Sequence, residues 1–355
     1  MNKLPSIEDY EIAIDTAQLI KATELAGGQP QKFNDNLIKY AGGFCVVFPF
    51  EASSKRYAVR CWLVNIGNAK ERTRLIAEEL QRLNLPYFVG FNYVENGLET
   101  SEGTQPIVLM DWVEASPLKE YISRHINNSA KIERLAINFM TMAADLHNAG
   151  ISHGDLQHGN IMVTDDGQLK LVDYDSVYVP SLKGYDDEIK GQRGYQHPAR
   201  WQTKKATPKA DYFSELIIYA SLITLSRIPQ LWYDLNIEDS DTMLFTEDDI
   251  KSGGTTPIFA ILDSDSRLKC YSTAIKNALK RNDINDLLPL EEAIVSTEKR
   301  IADSIKEKWN TNVYIAPPIN YEKGTDEIQA QWKDNGYKEV IPNYNDEAEK
   351  IKKKW

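Results

Sequence analysis

The chain has 355 residues, 42% apolar and 26% charged, with 19 Gly and 15 Pro, which describes a folded protein and excludes fibrous and disordered classes. Its 41 basic and 52 acidic residues leave a net charge of -11, so a polyanion such as duplex DNA is disfavoured as the bulk partner and no nucleic-acid partner is expected. No apolar run reaches the roughly 18 residues of a membrane span, the first ten residues carry acids where a secretory signal carries bases, and Cys45, Cys61 and Cys270 are too widely spaced for a metal motif. The expectation is a cytoplasmic protein with reduced thiols and no membrane partner.

In chain order, residues 1–30 read as a helical extension. Residues 31–40 and 44–50 read as strands around the pair Gly42-Gly43, and 56–64, rich in Val, Trp and Tyr, as a third. Residues 68–82 carry Leu75, Ile76 and Leu80 at helical spacing, with Leu83 next, and stop before Pro86, predicting one amphipathic helix. Two more strand-like runs, 87–94 and 106–112, flank a glycine-containing turn. Five strands and one helix then make a small antiparallel lobe, 31–113.

Beyond Glu114 the period lengthens. Ser129 is the candidate cap of a helix in which Ile132, Leu135, Ala136, Phe139, Met142, Ala143 and Leu146 recur, and Gly150 ends it. Two short strands, 161–164 and 169–172, flank the turn Asp165-Asp166-Gly167. Residues 208–225 are apolar nearly all round, predicting a buried scaffold helix. Residues 291–309 read as a helix that either closes the second lobe or begins a tail, and 310–355 as a polar, aromatic tail. The fold class expected is α+β, with an antiparallel-sheet lobe followed by a mainly helical lobe, 114–309.

Chemistry concentrates in His153-Gly154-Asp155-Leu156-Gln157-His158-Gly159-Asn160, followed by a hairpin and Asp173-Tyr174-Asp175. A carboxylate five residues before an amide, in a loop leaving a helix, lets Asp155 face a hydroxyl while Asn160 reaches a metal. The hairpin brings Asp173 alongside as a second hard oxygen donor of the kind Mg²⁺ takes. At these two motifs the sequence resembles the protein-kinase-like superfamily, with its His-x-Asp-x-x-x-x-Asn loop and Asp-Phe-Gly triplet, over roughly residues 31–285.

The resemblance implies a two-lobed kinase fold, ATP and Mg²⁺ as nucleotide and metal, Asp155 orienting or accepting the proton of the attacking hydroxyl, and Asn160 and Asp173 holding magnesium. His153 is expected to pack and hold the loop. Asp175 stands where the family has glycine, and is either a third carboxylate near the metal or a turn residue. In Tyr57-Ala58-Val59-Arg60-Cys61-Trp62, Arg60 stands where the family has its third-strand lysine, and a planar guanidinium fork is no conservative replacement for an ammonium. Glu71, Glu78 and Glu79 are the candidate helix partners of Arg60, with Glu79 preferred. Gly42 and Gly43 lie where the family's loop covers phosphates, without the full three-glycine pattern. Leu109-Met110-Asp111-Trp112-Val113 resembles the hinge, in which main-chain groups of Asp111 and Val113 pair with adenine and Met110 guards the rear pocket.

The spellings His-Gly-Asp and His-Gly-Asn look like small-molecule kinases of the aminoglycoside and choline kinase kind. Against that, 191–198 (Gly-Gln-Arg-Gly-Tyr-Gln-His-Pro) resembles the protein-kinase segment that cradles a peptide, and Asp211 lies where protein kinases anchor the catalytic loop. Ala199 replaces the glutamate after the proline, removing the family's usual ion pair there. Gly154 replaces the arginine that receives an activation-loop phosphate, so activity independent of phosphorylation at Ser176, Ser181 or Thr203 is expected. The leading reading is a Ser/Thr protein kinase acting on a protein substrate or signalling partner. A nucleotide-binding pseudokinase scaffold and a small-molecule kinase are the alternatives. The oligomeric state is not legible in the sequence.

Overall fold

The computed structural model describes residues 4–42, 45–64 and 68–297. The chain divides into two compact units, Met1–Leu290 and Glu291–Trp355; in the second, the described residues 291–297 are helical, and the expected tail lies outside the described residues.

The extension opens with α1 (Ile7–Asp15), started by a capping box in which Ser6 and Asp9 satisfy each other's backbone amides, and continues as two 3₁₀ turns. Tyr10, Ala13, Ile14 and Leu25 are buried in the same cluster as Val46, Phe48, Phe50 and Leu109, so the extension is part of the first lobe's core. The Tyr10 hydroxyl donates to the Trp62 carbonyl at 3.0 Å, satisfying the one polar atom that α1 buries there.

The expected strand over 31–40 is instead four short pieces: β1 (Gln29–Pro30), β2 (Lys32–Phe33), β3 (Asn36–Leu37) and β4 (Tyr40–Ala41). Asn34 and Asp35 adopt φ of 48° and 62°, folding β2 onto β3 as a two-residue hairpin. Such left-handed pairs suit Asn and Asp and close a hairpin tightly. The long strands are β5 (Cys45–Ala52) and β6 (Lys55–Trp62), then α2 (Ala69–Leu83), β7 (Phe91–Thr100) and β8 (Gly103–Asp111). The sheet order is β1-β5-β6-β8-β7, with β4 also on β5, and these pairings are antiparallel. The register of β7 against β8 shifts between Val94 and Leu98, where Gly97 lies so close to Ile107 that an added Cβ would sit 2.4 Å from its side chain.

The second lobe begins with β9 (Ser116–Pro117) and α3 (Leu118–His125), then α4 (Ser129–Ala149). The cap of α4 is Asn128, not Ser129: its side chain accepts from the Lys131 amide at 3.2 Å. Gly150 closes the helix at φ 67°, and Ile132, Leu135, Ala136, Phe139, Met142, Ala143 and Leu146 form its buried face. The hairpin β10 (Ile161–Val163) and β11 (Leu169–Leu171) is joined on its open edge by β9. Next comes α5 (Tyr212–Arg227), buried nearly all round and packed on α4, followed by the smaller helices α6 (Leu231–Asp234), α7 (Glu247–Lys251), α8 (Pro257–Ser264) and α9 (Lys269–Leu279), with α9 packed on α5 and α8 on α9. Among the described residues no helix is long and apolar enough to cross a membrane. The architecture is α+β and two-lobed, a sheet lobe and a helical lobe.

Candidate active site

The loop 153–160 leaves α4 and is fastened from below. Asp211, at the start of α5 and almost wholly buried, accepts the Gly154 amide on Oδ1 at 2.9 Å and the His153 amide on Oδ2. Burial pushes its carboxyl above the ordinary range, offset by those amides and by the nearby His153 and Arg200. The His153 ring, also buried, places Nε2 2.9 Å from the carbonyl of Val172, tying the loop to the residue before Asp173. Gly154 has φ 78°, and a Cβ there would lie 2.3 Å from the Ser176 carbonyl oxygen. Only glycine fits that position.

This fastening brings three of the sequence candidates together. Asn160 spends its side-chain NH₂ on Asp155, at 2.8 Å to the main-chain oxygen and 3.3 Å to Oδ2, leaving its amide oxygen as the end that can meet a cation. Asp155 Oδ1 accepts the Gln192 amide at 2.8 Å. Burial raises the Asp155 carboxyl above its ordinary range against that hydrogen bond, and the Asp173 charge adds to the rise. Asp173 follows β11 in a left-handed conformation, φ 63° and ψ 77°, a strained state for a non-glycine residue of the kind that collects at functional sites. More than a third of its surface is open, yet the protein around its carboxyl and the neighbouring Asp175 raise its pKa, with Arg60 opposing. Tyr174, between the two aspartates, is buried against Phe88 and Phe91 and donates to the Leu171 carbonyl at 2.7 Å, which anchors the turn. An amide oxygen beside an open carboxylate is a hard donor set that fits Mg²⁺ held jointly with phosphate oxygens.

On the sheet side the geometry departs from expectation. Arg60, buried on β6, pairs through Nη2 with Asp175 Oδ2. The expected pairing of Arg60 with Glu79 is corrected: Glu79 pairs with Arg82 at 2.5 Å and Glu78 with Arg74 at 2.6 Å, both within α2. The reason is local, since i,i+3 and i,i+4 arginines lie within reach of each glutamate while Asp175 presents a carboxylate directly to the strand. Burial disfavours the Arg60 charge, but Asp175 outweighs it and holds the guanidinium protonated. Asp175 is thereby a charge partner, a role that its place in the motif did not disclose.

The remaining candidates sit as follows. Gly42 follows β4, its amide donating to the Cys45 carbonyl at 2.9 Å, and Gly43 lies outside the described residues. Met110, half-buried, is opposite Ala58 and Phe91 at the end of β8. The Asp111 amide is committed to the Gly90 carbonyl at 2.8 Å and its carboxylate to Lys55 at 2.7 Å, while Val113 is half-buried in the connection to the second lobe. His158, pushed down to about 4 by burial and by Lys119, is neutral at pH 7, with Nδ1 2.6 Å from the Tyr195 hydroxyl. It supplies no positive charge to the loop at that pH.

The family model for the protein kinase domain matches residues 41–249, more than half of the chain. The chain belongs to the protein kinase family. Among its relatives are the serine/threonine-protein kinase PknL of Mycobacterium tuberculosis, 27% identical over 156 residues covering 43% of this chain and 38% of that protein. A probable serine/threonine-protein kinase of Streptomyces coelicolor is 25% identical over 179 residues, 47% of this chain and 25% of the relative. The mitosis inhibitor protein kinase SWE1 of Candida albicans is 24% identical over 204 residues, 52% of this chain and 17% of the relative. The chain thus spans well under half the length of these relatives. Within this family member, the features that sequence reasoning missed are the Arg60–Asp175 pair, the Gln192 amide on Asp155, and a buried pair between Asp187 and Arg200. The second aspartate of Asp173-Tyr174-Asp175, standing in a glycine position beside a strand arginine, was the signal for the first.

Proposed function

We propose that the chain is an ATP- and Mg²⁺-dependent phosphotransferase that modifies Ser or Thr hydroxyls of a protein. The observation that carries this reading is the convergence of Asp155 and Asn160, on a loop whose two leading amides are gripped by Asp211, with Asp173 after β11. In this reading Asp155 hydrogen-bonds the acceptor hydroxyl and takes its proton as the oxygen bonds to the γ-phosphorus. The bond from that phosphorus to the bridging oxygen breaks, and ADP leaves with its electron pair. Asn160 and Asp173 would hold Mg²⁺, which supplies neutralisation of phosphate charge. Gly42, Gly43 and Arg60 would face the phosphates, and Met110 with the main chain of Asp111 and Val113 the base. Glu79 has no assigned part in this reading. The half-buried Asp155 carboxyl, raised in pKa, is suited to accepting a proton, and preorganised positioning supplies most of the remaining rate.

The protein acceptor is supported by the relatives' names and by the segment 191–198, which lies against Asp155 as a peptide-cradling segment would. A second reading, a nucleotide-binding scaffold without transfer, is favoured by one observation: Arg60 is engaged by Asp175 and replaces the lysine of the family's third strand. Incubation with labelled ATP, Mg²⁺ and host lysate, followed by mass spectrometry of the labelled species, separates these. Phosphoserine or phosphothreonine on protein supports the first reading. Label confined to small molecules overturns the protein acceptor, and nucleotide binding with no transfer supports the scaffold.

A further inference from the structure

Arg200 and Asp187 form a buried ion pair that the chemistry above does not use; Arg200 is 1% exposed and Asp187 7%. The guanidinium grips both carboxylate oxygens, with the Nη2 contact at 3.0 Å, and the same Nη2 donates to the Gly154 carbonyl at 3.4 Å. Lys190 adds a second cation at 2.8 Å and donates onward to the Thr203 carbonyl. The Asp187 amide donates to the Lys204 carbonyl at 3.0 Å and the Ala206 amide to the Tyr185 carbonyl at 3.0 Å, so 185–187 lies as a short ladder along 204–206. From α2, Arg72 reaches the carbonyls of Val177 at 3.1 Å and Asp186 at 3.4 Å. The segment is therefore held to the catalytic loop, to its own far end and to the sheet lobe's helix.

Four residues beyond Asp187 the chain turns at Gly191, φ 76°, and the next amide, Gln192, lands on Asp155. A Cβ at Gly191 would lie 2.8 Å from Asp155 Oδ1 and 2.9 Å from Gln196 Nε2, so the turn is fitted to the carboxylate it touches. A bidentate guanidinium–carboxylate pair fixes direction as well as distance, and a buried one is better suited to specifying an arrangement than to adding stability. Between Leu182 and Gln202 the chain contains no serine or threonine that a kinase of its own proposed specificity could phosphorylate.

Resting on the phosphotransfer reading, we infer that Asp187 and Arg200 are positioning residues: a permanent carboxylate clamped by Arg200 and Lys190 holds the Gln192 amide on Asp155, doing without modification what a phosphate on this segment would do conditionally. The clamp acts through the segment and touches no reacting atom.

The test compares the full chain with Asp187→Asn, which keeps the shape and removes the charge, and with Asp187→Glu, which restores it. Hydrogen exchange of peptides covering 186–196 is expected to quicken about tenfold in Asp187→Asn, with α4 unchanged. The turnover kcat is expected to fall about tenfold, with KM for ATP within about twofold and partial recovery in Asp187→Glu. Phosphatase treatment of the wild type is expected to leave turnover unchanged. Unchanged exchange and kcat in Asp187→Asn, or turnover lost to phosphatase and regained on rephosphorylation, overturns the inference. Should Asp187→Asn not fold, Arg200→Lys, which keeps the charge and loses the fork, is read by the same measures. If the wild type transfers no phosphate, the phosphotransfer reading fails by itself and exchange alone decides: faster exchange upholds the clamp, unchanged exchange removes it.

Discussion

The loop 153–160 and the strand β6 face the same cleft but are built on different terms. The loop is held by a buried carboxylate, a histidine ring and a glycine at φ 78°, and it brings Asp155 and Asn160 up to Asp173. On β6 Arg60, expected from the resemblance to stand at the third-strand lysine position, is paired with Asp175, and Glu78 and Glu79 of α2 pair with their own helix's arginines. In the proposed reading, the site keeps its loop geometry on the hydroxyl side while the side facing the phosphates is built around a different charge pair.

The largest effect in this comparison is expected at the anchor. Asp211→Ala leaves the His153 and Gly154 amides without their acceptor inside the lobe, and at about 1–3 kcal/mol for each unsatisfied buried group the loss is about 2–6 kcal/mol, read by denaturant unfolding. A change under about 0.5 kcal/mol would mean the loop is not held from α5. Next, Gly154→Ala is expected to destabilise by about 1–2 kcal/mol from its backbone conformation alone, with more from the contact with Ser176. A melting temperature equal to the wild type's would contradict the close approach. On the sheet side, Asp175→Asn frees Arg60 and is expected to weaken binding of a fluorescent ATP analogue about tenfold, while Glu79→Gln leaves it within about twofold. The reverse ranking would return the pairing to α2.

The smallest effect is a pH dependence. The Asp173 carboxyl is raised above its ordinary 3.8, so its ionised form is disfavoured in the folded chain; the penalty is absent below that pH and appears as pH rises through the raised value. In chelator, Asp173→Asn should therefore melt higher than the wild type at pH 7, with the difference shrinking toward pH 3. Asparagine tolerates the left-handed backbone there, which leaves charge as the variable. A difference independent of pH would assign the effect to packing.

Most of the fold was legible where a single period governs a long segment: α2, α4 and α5 lie close to where their apolar spacing put them. The stretch expected as one strand over 31–40 was harder to read because its short pieces 29–41 are set by two left-handed residues, Asn34 and Asp35, and by packing on β5. In the site, motif spacing located the loop residues because the chemistry fixes their separation. The partners of Arg60 and Arg200 were not legible. Asp175 lies 115 residues from Arg60, and Asp187 and Arg200 are joined by a segment with no period of its own. Ala199 in place of a carboxylate implied a missing ion pair, whereas the next residue, Arg200, makes a different one with Asp187.

The central claim is that Asp155 takes the acceptor's proton. Single-turnover transfer from saturating Mg²⁺–ATP to a Ser/Thr peptide mixture tests it most directly, with wild type and Asp155→Asn compared at matched nucleotide occupancy. A fall of about 10²- to 10⁴-fold with ATP affinity within about twofold is the expected result. Equal rates from the two proteins would contradict it.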